Sequence, residues 1–390
     1  MFSLPFTLSV LFLTELASAA ETFHIPLQRR AQQTHDLDYY SAAADNLRAK
    51  YSIGSAAGAS TGRRRAAVEN IPVINQGTTI QYGSGAVAGS INRDVVTMSN
   101  FTIQNQVFLG VDRLQSGLLD GQTSGILGLA FQTIASTGGV PFWQNLLNDD
   151  QLESPEFSFW LARSDSRGDD SAPGGVFTLG GTNSSLFSGE IEFLNMPGSR
   201  PSYWLLPLQS VTVQGESVSI ATGNSALSAI DTGTTLIGGP SDDVARIWAQ
   251  VPGATQAANS QGFWTFPCST DVNVTMSFGG RSWTISPEDM NLGAVTTSGR
   301  MCAGAIFDLN MGSNIPAGSG PSWVIGATFL KNVYSVYRAN PPSIGFAELS
   351  TAAGGTGTAP GSRSTAGAGS IVPKAGLALA LSFMSIWTLF

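Results

Sequence analysis

Leu227-Ser228-Ala229-Ile230-Asp231-Thr232-Gly233-Thr234-Thr235 is the stretch on which the reading of this chain turns. A short, mostly apolar run of the kind that forms a buried strand ends in a carboxylate. A small hydroxyl residue and a glycine follow at once. That arrangement suits a reacting group that must be exposed yet rigidly held. Gly233 permits a tight turn, and the hydroxyls of Thr232, Thr234 and Thr235 can orient the carboxylate through local hydrogen bonds. Taken alone, the same residues also describe a strand ending in an Asx-type turn. The rest of the chain decides between the two.

Composition narrows the field first. The chain has 390 residues, 45 glycines and only 12% charged residues, a balance that suits a β protein with many turns. A net charge of −8 leaves no basic stripe to meet phosphates, so nucleic acid is not expected as a partner. The two histidines, His24 and His35, lie ahead of the main body, and two cysteines do not make a metal set, so neither metal nor cofactor is expected. In an oxidising compartment Cys268 and Cys302 are most simply a disulfide.

Both termini carry sorting features. Residues 1–19 have an apolar core and an Ala17-Ser18-Ala19 cleavage site, the pattern of a secretory signal. Gly62-Arg63-Arg64-Arg65 is either a processing site or a solvated basic loop. From Thr351 the sequence becomes a linker rich in Gly, Ser, Ala and Thr over 351–374. The apolar tail at 375–390 fits a signal for glycosylphosphatidylinositol (GPI) attachment, with the lipid near Ser364, Gly367, Ala368 or Gly369. A transmembrane helix is the alternative. Asn100, Asn183 and Asn273 each begin a glycosylation sequon. The expected location is therefore the secretory pathway and cell surface, or secretion.

Further motifs lie on either side of Asp231. Gln81-Tyr82-Gly83-Ser84-Gly85 sits in alternating, strand-like sequence. Ser124-Gly125-Ile126-Leu127-Gly128-Leu129-Ala130 looks like a first-half counterpart of Trp323-Val324-Ile325-Gly326. Taken together, and in this order, these motifs resemble the pepsin-like aspartic peptidases of fungi across residues 71–349. The resemblance implies an all-β, bilobal fold and hydrolysis of peptide bonds in a peptide or protein substrate, at acid pH, by a monomer. It implies that Asp231 is catalytic, supported by Thr232, Gly233, Thr234 and Thr235, with Thr232 and Thr235 in the hydrogen-bond grip beneath the carboxylates. It makes Tyr82, with Gly83, Ser84 and Gly85, the flap over substrate, and pairs Cys268 with Cys302 in the second lobe. Ile126, Leu127 and Gly128, like Val324, Ile325 and Gly326, become core strands under the catalytic loops. Phe23-His24-Ile25-Pro26-Leu27 resembles the start of a propeptide spanning 20–65, whose basic residues pair with active-site carboxylates at neutral pH.

One departure stands out. The family uses two Asp-Thr-Gly motifs, and this chain has one. Asn70-Ile71-Pro72-Val73-Ile74-Asn75-Gln76 looks like a mature start, yet Gly77 onward is already the strand to the flap. The block that should carry the first aspartate is missing between Gln76 and Gly77. Between Gly77 and Asp149 the aspartates are Asp94, Asp112 and Asp120, and none precedes Thr-Gly or Ser-Gly. The expected layout is a truncated N-terminal lobe over 66–185 and a C-terminal lobe over 186–350. The form is expected to be inactive or impaired, the alternative being a non-catalytic homologue that binds peptides at the cell surface. Helices are expected over 141–148 and over 241–250, the latter capped by Ser241.

Overall fold

The computed structural model describes residues 22–28, 37–51, 73–82, 85–115, 124–163, 173–258, 260, 262–295, 299–310 and 320–355. The expected signal, the Arg63–65 cluster, Gly83, Ser84, the linker beyond residue 355 and the apolar tail lie outside these residues. The architecture is almost entirely β, as the all-β reading expected.

A six-stranded antiparallel sheet joins the halves of the chain. Its order is Phe23–Gln28, Pro173–Leu179, Glu156–Leu161, Tyr334–Ala339, Pro342–Leu349, Phe187–Asn195. The junction of early and late sequence is the pairing of Phe159 with Ser335 and of Phe157 with Tyr337. Alternation along Glu156–Leu161 explains why this strand sits in the middle. Phe157 and Phe159 face one way, where Phe157 stacks on Tyr337 with ring centroids 5.1 Å apart and Phe159 on Phe177 at 4.8 Å. Ser158 faces the other way, fully buried, and satisfies its hydroxyl on Gly181 O and Tyr334 Oη. Trp143, Trp204 and Phe131 complete the aromatic core against Phe157.

The second half builds a five-stranded sheet ordered Ile306–Asp308, Ile237–Gly239, Trp323–Ile325, Leu227–Ile230, Leu205–Pro207. Leu227–Ile230 runs parallel to Trp323–Ile325, with Ile230 opposite Ile325. Strands buried on both faces read as continuous apolar runs, and Trp323, Val324 and Ile325 are fully buried. Two further four-stranded sheets close this half. In one of them Phe266 pairs with Cys302, and Cys302 is bonded to Cys268 with Cα atoms 5.0 Å apart, giving the expected disulfide.

The first half keeps a three-stranded sheet of Val73–Tyr82, Gly85–Met98 and Phe101–Leu114. Its register slips at one place in the first strand pair. Ile74 faces Ile91 and Gly77 faces Ser90, so Asn75 and Gln76 have no partners. The slip falls at the Gln76–Gly77 junction.

Three expectations are corrected. Ile126-Leu127-Gly128 is not a strand: the segment is irregular, with Ser124, Gly125 and Gly128 exposed and Leu127 partly covered. Trp323–Ile325 has a strand on each side, whereas this segment pairs with no strand among the described residues. Its end is fixed by indole N–H donors of Trp204 to Leu129 O at 2.8 Å and of Trp143 to Ala130 O at 3.1 Å. The helix Ser241–Ala249 forms, but Pro240 occupies the cap position and Ser241 donates instead to Asp308 Oδ1 at 2.8 Å. The helix expected over 141–148 begins at Phe142, with Pro141 at the cap position, and buries Phe142, Trp143 and Leu146.

The disulfide ties two strands that already pair, so its contribution rests mainly on restricting the unfolded chain. A Cys268→Ala/Cys302→Ala double variant is expected to lose about 3 kcal/mol of stability in urea unfolding. A loss under about 1 kcal/mol would show that the strand pairing alone sets this geometry.

Candidate active site

Asp231 is the first residue after the Leu227–Ile230 strand. Its N–H still donates to Ile325 O at 3.0 Å, so the strand ladder fixes its backbone. The loop then turns back: Thr234 N–H reaches Asp231 O at 3.2 Å, and Ala327 N–H reaches Thr234 O at 2.7 Å. Gly326 lies against this loop so closely that a Cβ there would stand 2.3 Å from Thr234 O. Glycine is therefore required at 326 by contact, not by its own conformation.

Each carboxylate oxygen has its donors. Oδ1 accepts from Gly233 N–H at 3.0 Å, and Oδ2 from Thr234 Oγ1 at 2.5 Å. Of the three threonines, Thr234 alone reaches the carboxylate. Thr235 is exposed, and its carbonyl accepts from Thr328 N–H at 2.8 Å and Thr328 Oγ1 at 3.0 Å. Thr232 is half-buried and gives the carboxylate no hydrogen bond. Gly233 contributes its N–H rather than a left-handed turn.

Two further groups close on Oδ2. Lys50 Nζ lies at 2.5 Å and Tyr51 Oη donates at 3.1 Å. Both come from the end of the Leu37–Lys50 helix, far upstream in sequence. That helix buries Ala44, Leu47 and Tyr51 among Ala229, Leu236, Phe263, Phe307, Leu309 and Val324, and Tyr51 packs on Tyr203 at 5.1 Å. Burial pushes the Asp231 carboxyl up. The Lys50 charge, with hydrogen bonds from Lys50, Thr234 and Gly233, outweighs burial and holds it below its ordinary value. Burial pushes the Tyr51 phenol well up, and the Asp231 charge beside it adds to the shift.

The remaining predicted residues are dispersed. Tyr82 ends its strand opposite Gly85, so a two-residue connection closes the hairpin. Asp94 and Asp112 are exposed on the neighbouring strands, and Asp120 lies outside the described residues. Asn100 and Asn273 are exposed, whereas Asn183 is half-buried. The Asn273 amide also donates to Gln214 Oε1 at 3.1 Å, a bond a glycan would displace. Lys50 and Tyr51 were not singled out from the sequence, which had placed basic charge at Arg63–65. The available signal was a basic residue closing an alanine-rich, helix-compatible run.

Residues 71–349 match the family model for eukaryotic aspartyl protease. The chain is 43% identical over 281 residues to major aspartyl peptidase 1 of Cryptococcus neoformans var. grubii, covering 69% of this chain and 56% of that protein. It is 33% identical over 315 residues to an aspartic protease of Phaffia rhodozyma, covering 79% and 68%. To human cathepsin D the identity is 32% over 293 residues, covering 70% and 67%. This chain belongs to the eukaryotic aspartyl protease family. It spans little more than half the length of the Cryptococcus relative.

Because Asp231 titrates lower in the fold than in the unfolded chain, its contribution to stability is complete above the unfolded value. That contribution is lost as pH falls through the folded one. Lys50→Met should therefore cost about 2 kcal/mol at pH 7, the scale of a hydrogen bond to a charged group. In urea unfolding the gap between variant and parent should close towards about pH 3. An equal gap at both pH values would mean that Lys50 acts through packing of its stem.

Proposed function

We propose that this chain is the propeptide-bearing form of an acid endopeptidase scaffold in which Asp231 is one of the two carboxylates the reaction needs. The single observation that carries the reading is the hold on Asp231: Gly233 N–H and Thr234 Oγ1 fix its oxygens, while Lys50 occupies Oδ2. A carboxylate oriented this way can polarise a water molecule held against it. The Leu37–Lys50 helix is then the blocking part of a propeptide spanning 20–65. It covers the apolar surface next to Asp231 at neutral pH. It loosens in acid, when protonation of Asp231 deprives Lys50 of its partner.

Peptide hydrolysis in this chemistry needs two carboxylates sharing one proton. The ionised one takes a proton from water while the other donates to the scissile carbonyl. The hydrated carbonyl then collapses and expels the amine, with no covalent intermediate. With Asp231 alone the electrophilic partner is lost. General acid–base assistance is worth roughly 10²–10⁴-fold per group, so turnover falls below use. The Asn75–Gln76 register slip supports a block omitted at this junction. Tyr82, at the hairpin tip, is the candidate flap residue. A second reading, a non-catalytic homologue that binds peptides, is favoured by the single occurrence of Asp-Thr-Gly in the sequence. In both readings the substrate or ligand is a peptide, the chain is monomeric, and the protein passes through the secretory pathway to a lipid anchor at the cell surface.

The processed chain is expected to show no pepstatin-sensitive peptidase activity in acid. Activity abolished by Asp231→Asn would reveal a recruited second carboxylate and overturn the reading. Inserting a family-typical block with Asp-Thr-Gly between Gln76 and Gly77 should create an acid endopeptidase that needs both aspartates and is impaired by Tyr82→Ala. A well-folded restored protein that cleaves no peptide library would favour the binding role.

Phosphatidylinositol-specific phospholipase C should release the protein from intact membranes. Retention, with a peptide containing Trp387 in the mature protein, would establish a transmembrane helix instead.

A further inference from the structure

Arg48 lies on the same helix as Lys50, two residues earlier, yet it does not face Asp231. It is 7% exposed and is held by the second half of the chain. Its Nε donates to Leu309 O at 3.0 Å, and its Nη2 to Asp308 O at 2.7 Å. Its guanidinium carbon stands 5.7 Å from the centre of the Phe307 ring. The third contact, Nη1 to Asp45 Oδ1 at 2.6 Å, stays within the helix, and Asp45 is largely exposed.

We propose that the carbonyls of Asp308 and Leu309, with the Phe307 ring, form a guanidinium-binding subsite. Arg48 fills it here, and an arginine side chain of a bound peptide fills it once the helix has left. The inference rests on the propeptide reading above.

The chemistry favours a guanidinium over an ammonium. Two N–H groups along one edge of a planar fork meet the carbonyls of two successive residues, a match a point-like ammonium cannot make. The ring adds attraction for a delocalised cation. The acceptors are also preorganised. Asp308 N–H donates to Gly262 O at 2.8 Å and Leu309 N–H to Gly239 O at 2.8 Å, so both peptide units are fixed from behind. The Asp308 carboxylate is bound elsewhere, to Ser241 Oγ at 2.8 Å and Asn310 N–H at 2.9 Å. The carbonyls therefore do the recognising.

Gly262 forms the wall. Its φ is +85°, a left-handed conformation, and a Cβ there would stand 2.8 Å from both Arg48 Nη2 and Asp308 O. A side chain at 262 would intrude on the bound guanidinium. The subsite adjoins the apolar surface of Phe263, Phe307 and Leu309 that Leu47 and Ala44 cover. A peptide taking the helix's place would meet that surface and the carbonyl pair together.

The test uses binding on the full chain and needs no turnover. Arg48→Ala should lower Tm by several degrees. N-ethylguanidinium at millimolar concentration should restore part of that loss saturably, and ethylammonium should not. Gly262→Ala, with Arg48 intact, should lower Tm and abolish any response to N-ethylguanidinium when combined with Arg48→Ala. In the Arg48→Ala/Lys50→Met chain, a labelled arginine-containing peptide should bind about tenfold more tightly than its norleucine counterpart, as two charge-assisted hydrogen bonds imply. Equal recovery with both cations, no recovery in an Arg48→Ala protein of native circular dichroism, or equal binding of the two peptides would each overturn the proposal. The peptidase reading fails on a separate readout, turnover by the restored chain.

Discussion

The parallel pairing of Leu227–Ile230 with Trp323–Ile325 is the constraint on which the site depends. It places Asp231 one residue past a fully buried ladder, with its N–H bound to Ile325 O. The carboxylate is thus carried by a backbone that cannot shift without unpacking the second half of the chain. Gly326 shows how tight this is, because its contact with the Asp231–Thr234 loop leaves no room for a Cβ.

Such rigidity has an electrostatic consequence. A half-buried carboxylate must be compensated, and local donors supply part of that through Gly233 and Thr234. The rest comes from Lys50, at the end of a helix held by an apolar face and by Arg48. Packing and charge thus separate the two tasks of that helix. Ala44, Leu47 and Arg48 fix where it lies, and Lys50 makes its fit depend on the protonation of Asp231.

The two halves of the molecule are unequal in a way that follows from strand partners. Trp323–Ile325 is buried between two strands, whereas its first-half counterpart around Leu127 has no ladder among the described residues and takes indole hydrogen bonds from Trp204 and Trp143 at its end. The same kind of sequence gives a core strand in one place and an irregular segment in the other. The slip at Asn75 and Gln76 lies in the same half. The central sheet tolerates this because its early strands pair with late ones, as Phe159 does with Ser335.

The sequence by itself determined the β class, the Asp-Thr-Gly turn at Asp231, the pairing of two cysteines and the helices near residues 142–148 and 241–249. These are local or compositional signals: alternation, a turn motif, a residue count, an apolar stripe. It did not determine which hydroxyl would hold the carboxylate, because Thr232, Thr234 and Thr235 are equivalent until the loop's path is fixed. Nor did it place Lys50, which lies 181 positions before Asp231 and meets it through a helix docked on Phe263, Phe307 and Leu309. The failure of the 126–128 strand has the same origin. Whether an apolar run becomes a strand is settled by the presence of a neighbouring ladder, and only the tertiary structure supplies or withholds one.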